Sequence, residues 1–97
     1  MEKLNIKAVL KESRQLSLRM KEIDKLISTK ETEISRLEKM FSNPDSFERP
    51  QKLTLAGEEY QHLQRDIGVL WQEWQNLAMR SDEIESLNND TRQSYHT

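Results

Sequence analysis

The chain has 97 residues and a net charge of −2, with nearly as many charged side chains (33%) as hydrophobic ones (34%), and only two glycines and two prolines. That describes one small domain, and it excludes a compact α/β fold, which needs more turn residues and more apolar surface. There is no cysteine, so a disulfide framework and a thiolate metal site are excluded as well.

No apolar run approaches the ~20 residues of a membrane span, and the N-terminus carries no apolar signal core. A cytoplasmic protein with no membrane partner is the expectation. Leu, Glu, Lys and Gln dominate, which suits long helices or a coiled coil, with disorder as the competing reading. Periodicity decides between them. Charge is also uneven: residues 1–41 carry +3 and residues 42–97 carry −5, so the two halves can attract each other or present surfaces of opposite sign.

Residues 1–12 are expected to form a separate first turn or short helix, packing near Trp71 at the base of the molecule. The first long helix is expected over about 13–41. Its seam positions, extended back to the N-terminus, are Ile6, Val9, Ser13, Leu16, Met20, Ile23, Ile27, Lys30, Ile34, Leu37 and Phe41. Their spacing alternates three and four, the rhythm of a coiled-coil interface. Lys30 is the one charged seam residue. If the loop centre sets the register, it falls near Leu63 and reaches Asp66 or Glu59, a snorkelling lysine that helps fix register.

The stretch FSNPDSFERP (Phe41–Pro50) then breaks the pattern. Ser42, Asn43 and Asp45 favour turns and caps, and Pro44 and Pro50 stop the first helix from continuing. A short connection makes the two helices antiparallel. Residues 42–51 are thus read as the tip loop of a hairpin, with Phe41 and Phe47 packing its end.

A second helix is expected over about 52–88, with Ala56, Tyr60, Leu63, Ile67, Leu70, Trp74, Leu77, Ser81 and Ile84 in its seam. Leu10, Leu26, Trp71 and Ala78 flank and widen the interface, and Tyr60, Trp71 and Trp74 are read as packing residues. Residues 89–97 have no periodicity and read as a flexible tail. The fold class is all-α: an antiparallel two-helix coiled-coil hairpin, one domain over residues 1–97.

With the tip and seams in view, ISRLEKMFSNPDSFERPQKL followed by LQRDIGVLWQEWQNL resembles the C-terminal coiled-coil domain of ABC-F ATPases of the Uup type. The likeness covers roughly residues 14–80. It rests on Leu37–Glu38, on the Pro-acidic-x-aromatic tip of Pro44, Asp45, Ser46 and Phe47, and on Trp74 close to Leu77. The hairpin arm of valyl-tRNA synthetases is also similar around LEKMFSN, but usually lacks the Pro-acidic pair and this tryptophan. The first resemblance implies a tail domain that follows two nucleotide-binding domains and binds nucleic acid. Its implied partners are DNA or ribosomal RNA/tRNA and the parent's own ATPase domains.

This chain has no G-x-x-x-x-G-K-[ST] motif and no glycine-rich phosphate loop. No enzymatic activity, catalytic residue, cofactor or small-molecule substrate is therefore expected of it. SLRMKEIDKLI is similar to the L-R-x-x-I-D opening of helical chorismate mutases. Arg19 stands one residue too far from Ile23–Asp24, however, and no matching set of Arg and Lys follows. His62 and His96 have no partner at metal-ligand spacing, and Asp45 and Glu48 are too few for a calcium loop.

Candidate nucleic-acid contacts are Lys7, Lys11, Arg14, Lys21 and Lys25. They lie on the first helix's outer face with Leu18, Ser28, Thr32, Ser35 and Lys39, and that face contains no acidic residue. A helical Lys7–Lys25 span of ~27 Å would follow several phosphates of a duplex. Without exposed aromatics interleaved, such contacts would be backbone-directed and weakly sequence-specific. The outer face of the second helix (Gln61, His62, Arg65, Gly68, Val69, Gln72, Gln75, Asn76 and Met79) is polar but little charged, which suits contact with protein. The competing reading of the whole domain is accordingly a protein-interaction or spacer hairpin that positions the ATPase domains.

Overall fold

A computed structural model describes the backbone of residues 5–95 and the side chains of residues 5–87. It contains helix α1 (Ile6–Ser42), a single 3₁₀ turn at Pro44–Ser46, and helix α2 (Pro50–Tyr95). The helices run antiparallel as an arm with extents of 71 × 21 × 15 Å. This is the expected all-α hairpin, and at 1.5 Å per residue α1 alone is about 55 Å long.

α1 differs from expectation at its start. It is continuous from Ile6, and no separate short helix forms among the described residues of the 1–12 segment. The physical cause is local. The Asn5 side chain accepts a 3.2 Å hydrogen bond from the Ala8 amide, the usual N-cap geometry. Nothing between Asn5 and Ser13 breaks the helix, and the seam rhythm runs through Val9 without interruption. Residues 6–12 consequently lie beside the far end of α2, where Glu12 binds Arg80, and not near Trp71. At the C-terminal end, helix continues through Tyr95, so residues 89–95 are helical where a flexible tail was expected; the remainder of that tail, His96 included, lies outside the described residues.

The tip explains how so short a loop reverses two long helices. The Asn43 amide closes α1 by donating to the Met40 carbonyl at 3.1 Å, and the Ser46 hydroxyl donates to the same oxygen at 3.2 Å. Pro44 opens the 3₁₀ turn, and Pro50 is the first residue of α2, a position where its missing N–H costs nothing. Phe41 stacks on Phe47 with ring centroids 5.7 Å apart and meets Tyr60 edge-on at 5.8 Å. These rings pack against a core of Leu37, Ala56 and Leu63.

Further from the tip the interface continues through Ile23, fully buried, and through Ile27 and Ile84. Every predicted seam residue of α2 is buried or half-buried. On α1 the same holds except for Ile6, which is 66% exposed at the first turn. The arm therefore has one apolar interface and no second layer, and its stability rests on a few isoleucines and leucines at roughly 1.5–3 kcal/mol each.

Gly68 is an exception in composition but not in packing. A Cβ built there meets no atom within 4 Å, so the glycine does not serve a close approach within this chain. Replacing Gly68 by alanine is expected to stabilise the helix by about 1 kcal/mol, read as a rise in the thermal midpoint; a fall would mean the site holds something a methyl group displaces.

Candidate functional site

The two edges of the apolar seam differ chemically. On one edge, side chains cross between helices as ion pairs. Arg19 forks onto Glu73, with Nε to Oε2 at 2.6 Å and Nη2 to Oε1 at 2.9 Å, and also reaches Glu22 at 3.0 Å. Arg80 forks onto Glu12 and contacts Glu83 at 2.9 Å. Nearer the tip, Lys30 meets Asp66 at 3.3 Å, as the register predicted, with His62 on the same carboxylate oxygen at 3.4 Å. Arg36 pairs with Glu33 at 2.9 Å.

Heptad geometry accounts for this edge. Glu12, Arg19, Leu26 and Glu33 recur every seven residues on α1, facing Glu59, Asp66, Glu73 and Arg80 on α2. The Arg19–Glu73 and Glu12–Arg80 forks were not singled out from sequence, although that seven-residue spacing was the signal that could have found them.

Their hydrogen bonds to arginine are the main reason the carboxyls of Glu12, Glu33 and Glu73 titrate below the ordinary 4.5. A carboxyl depressed in the folded state adds stability that is fully present above its ordinary value and is lost as pH falls through the lower, folded one. The thermal midpoint should thus drop as pH falls below 4.5, and Glu73→Gln should flatten that dependence. A midpoint indifferent to acid would show that these exposed pairs set register without contributing to stability. Tyr60 moves the other way. Partial burial, then the nearby Glu38 charge, raise its phenol, whose hydroxyl is 3.3 Å from Glu38 Oε1.

The basic residues singled out from sequence lie elsewhere. Lys7, Lys11, Arg14, Lys21 and Lys25 are all exposed on α1. None has a carboxylate within 4.0 Å among the described residues, in contrast to Arg19, Lys30, Arg36 and Arg80. Because α1 is continuous from Ile6, the whole Lys7–Lys25 span is helical, and the five cations form one file about 27 Å long. Leu18, 63% exposed, lies within it.

The two tryptophans occupy different environments. Trp74 is half-buried in the seam, with its indole N–H enclosed and lacking an acceptor among the described residues. Trp71, which was read as packing, is 41% exposed and meets Trp74 edge-on at 5.8 Å. The surface concavities are shallow troughs along the helices. Among the described residues, no three His, Cys, Asp or Glu side chains are grouped as a metal site would require, and no helix is long and apolar enough to cross a membrane.

Residues 11–79 match the family model described as the ABC transporter C-terminal domain. The chain belongs to that family. The matched span takes in most of α1, the whole tip and α2 through Met79, so the hairpin itself is the family domain. It includes the Arg19–Glu73 and Lys30–Asp66 bridges, both tryptophans, and Lys11, Arg14, Lys21 and Lys25; Lys7 and Arg80 fall just outside it. No curated protein and no solved structure matches the chain. In chemical terms this ABC transporter C-terminal domain offers a long, thin arm, an ion-paired edge and a basic face without paired carboxylates among the described residues.

Proposed function

We propose that this domain is the nucleic-acid-binding tail of an ABC-F ATPase of the Uup type, a cytoplasmic protein in this reading. It holds DNA or structured RNA by phosphate contacts from Lys7, Lys11, Arg14, Lys21 and Lys25 and carries no catalytic role of its own. The supporting observation is the electrostatic sorting of the cations: those at the crossing edge are matched by carboxylates, and the five along the outer file of α1 are left unmatched. An arm that needed lysine only for solubility would gain from i,i+4 carboxylates on the same face, and this face has none.

The test is a titration of labelled DNA duplex and RNA hairpin with the domain, followed by anisotropy at two salt concentrations. Phosphate binding gives log K falling with log[salt] at about 0.9 per contact on B-DNA, so three to five contacts predict a slope of about −3 to −4.5. Absence of binding to either probe at low salt would end this reading. The runner-up is then a spacer or docking hairpin for the ATPase domains. One observation favours it: the little-charged outer face of α2 exposes Val69 and Met79 (69% and 64%), beside Gly68.

A further inference from the structure

The crossing ion pairs mark one edge of the hairpin as bridged by charge; the other is bridged near the tip by the Tyr60 hydroxyl donating to Glu38 and is open further along the arm among the described residues. Arg19–Glu73 and Glu12–Arg80 occupy one side of the seam. The opposite side carries Leu10, Ser17, Asp24, Glu31 and Glu38 from α1 and Gly57, Gln64, Trp71, Ala78 and Glu85 from α2, with no ion pair spanning it among the described residues. The antiparallel register that sets Arg19 against Glu73 brings Asp24 to within about one turn of Trp71 across this open edge.

The basic file lies on the same side. Successive helical residues are offset by about 100°, which places Lys7, Arg14 and Lys21 next to the open edge, with Lys11 and Lys25 just behind them. Lys21 falls about one turn before Asp24, and Lys25 is its chain neighbour, rotated about 100° toward the outer face. An exposed indole thus stands across the edge from a carboxylate that has no ion-pair partner among the described residues, with Lys21 a turn before it and Lys25 beside it on the outer face. Trp71 is braced on its inner side by Trp74. On its outer side lies Gly68, where a Cβ would meet nothing, so the approach is unobstructed.

We propose that Trp71 and Asp24 form a subsite for one unpaired nucleobase bearing an amino group, with Lys21 and Lys25 on its flanking phosphates. The inference rests on the basic-face reading above and narrows it from nucleic acid in general to strands with unpaired bases. An indole face stacks on any base. A base inside a duplex cannot reach it, whereas an unstacked one can. A carboxylate accepts only from donors: cytosine, adenine and guanine offer an exocyclic amine to Asp24, whereas thymine and uracil offer only an N3–H set between two carbonyl oxygens that repel it. Asp24 would repel phosphate, which places the backbone over the lysines and the base over the edge.

The experiment measures anisotropy of short labelled oligo-dC, oligo-dT and a DNA duplex with the 97-residue chain and its variants. The chain should prefer oligo-dC to oligo-dT, two pyrimidines that differ at the C4 amino group. Trp71→Ala should weaken single-strand binding by roughly 5- to 150-fold and leave duplex binding unchanged, while Trp71→Phe retains most of the affinity. Asp24→Asn should abolish the difference between oligo-dC and oligo-dT. Circular dichroism of each variant separates lost contact from lost fold.

If Trp71→Ala, folded, binds single strands as well as the parent does, the stacking subsite is overturned and the lysine reading stands. If oligo-dC and oligo-dT bind alike and Asp24→Asn changes nothing, the role of Asp24 is overturned. Should reversal of the lysines leave all binding intact, the reading on which this inference rests is overturned with it.

Discussion

Replacing Ile23 by alanine is expected to destabilise the hairpin by about 2–5 kcal/mol. Ile23 is fully buried, and only five other hydrophobic residues among those described are buried to a comparable extent. The arm is one seam thick, so the void has solvent-facing helix on both sides and no second layer to settle into it. The control is Leu18→Ala on the outer face of the same helix, where the side chain is 63% exposed and the change should fall within about 0.5 kcal/mol. Thermal and urea melts by circular dichroism decide the matter. Equal effects at the two positions would mean that the seam does not hold the arm together.

The second large effect is on binding. Reversing Lys7, Lys11, Lys21 and Lys25 to glutamate exchanges four unmatched positive charges for negative ones on a 27 Å file, leaving only Arg14. If the file makes four or five phosphate contacts, a fourfold rise in salt should cost the parent chain about two to three orders of magnitude in affinity. The variant should have no measurable affinity from which to start. All four positions are exposed and none takes part in an ion pair among the described residues, so helix content and melting should be nearly unchanged. A folded variant that still bound would remove the basic file from the interface.

Much of this follows from sequence because a two-helix hairpin is nearly a one-dimensional object. The alternating three-and-four spacing from Val9 to Phe41 and from Ala56 to Ile84 determined which side chains face inward. The pair of prolines between them determined that the chain reverses. Placing Lys30 within reach of Asp66 or Glu59 required only counting outward from the loop, since an antiparallel register is set by its turn; the packing chose Asp66. The tip composition also carried the family likeness that the match over residues 11–79 places in the ABC transporter C-terminal domains.

Three features were decided only in the tertiary structure. The cap at Asn5 starts α1 locally, but where residues 6–12 pack was decided by the far end of α2, whose Arg80 receives Glu12, and a local reading does not weigh that. The helix continues to Tyr95 although residues 89–95 lack periodicity, because periodicity reports a buried face and not helicity itself. The difference between Trp71 and Trp74 was decided there as well. The two are three residues apart in sequence, and a wheel places both near the seam. Only the partner helix, with a thin side chain layer at that edge, leaves one ring half-buried and the other 41% exposed to solvent. Sequence determined what each helix could bury; the packing of one helix against the other decided what was left uncovered.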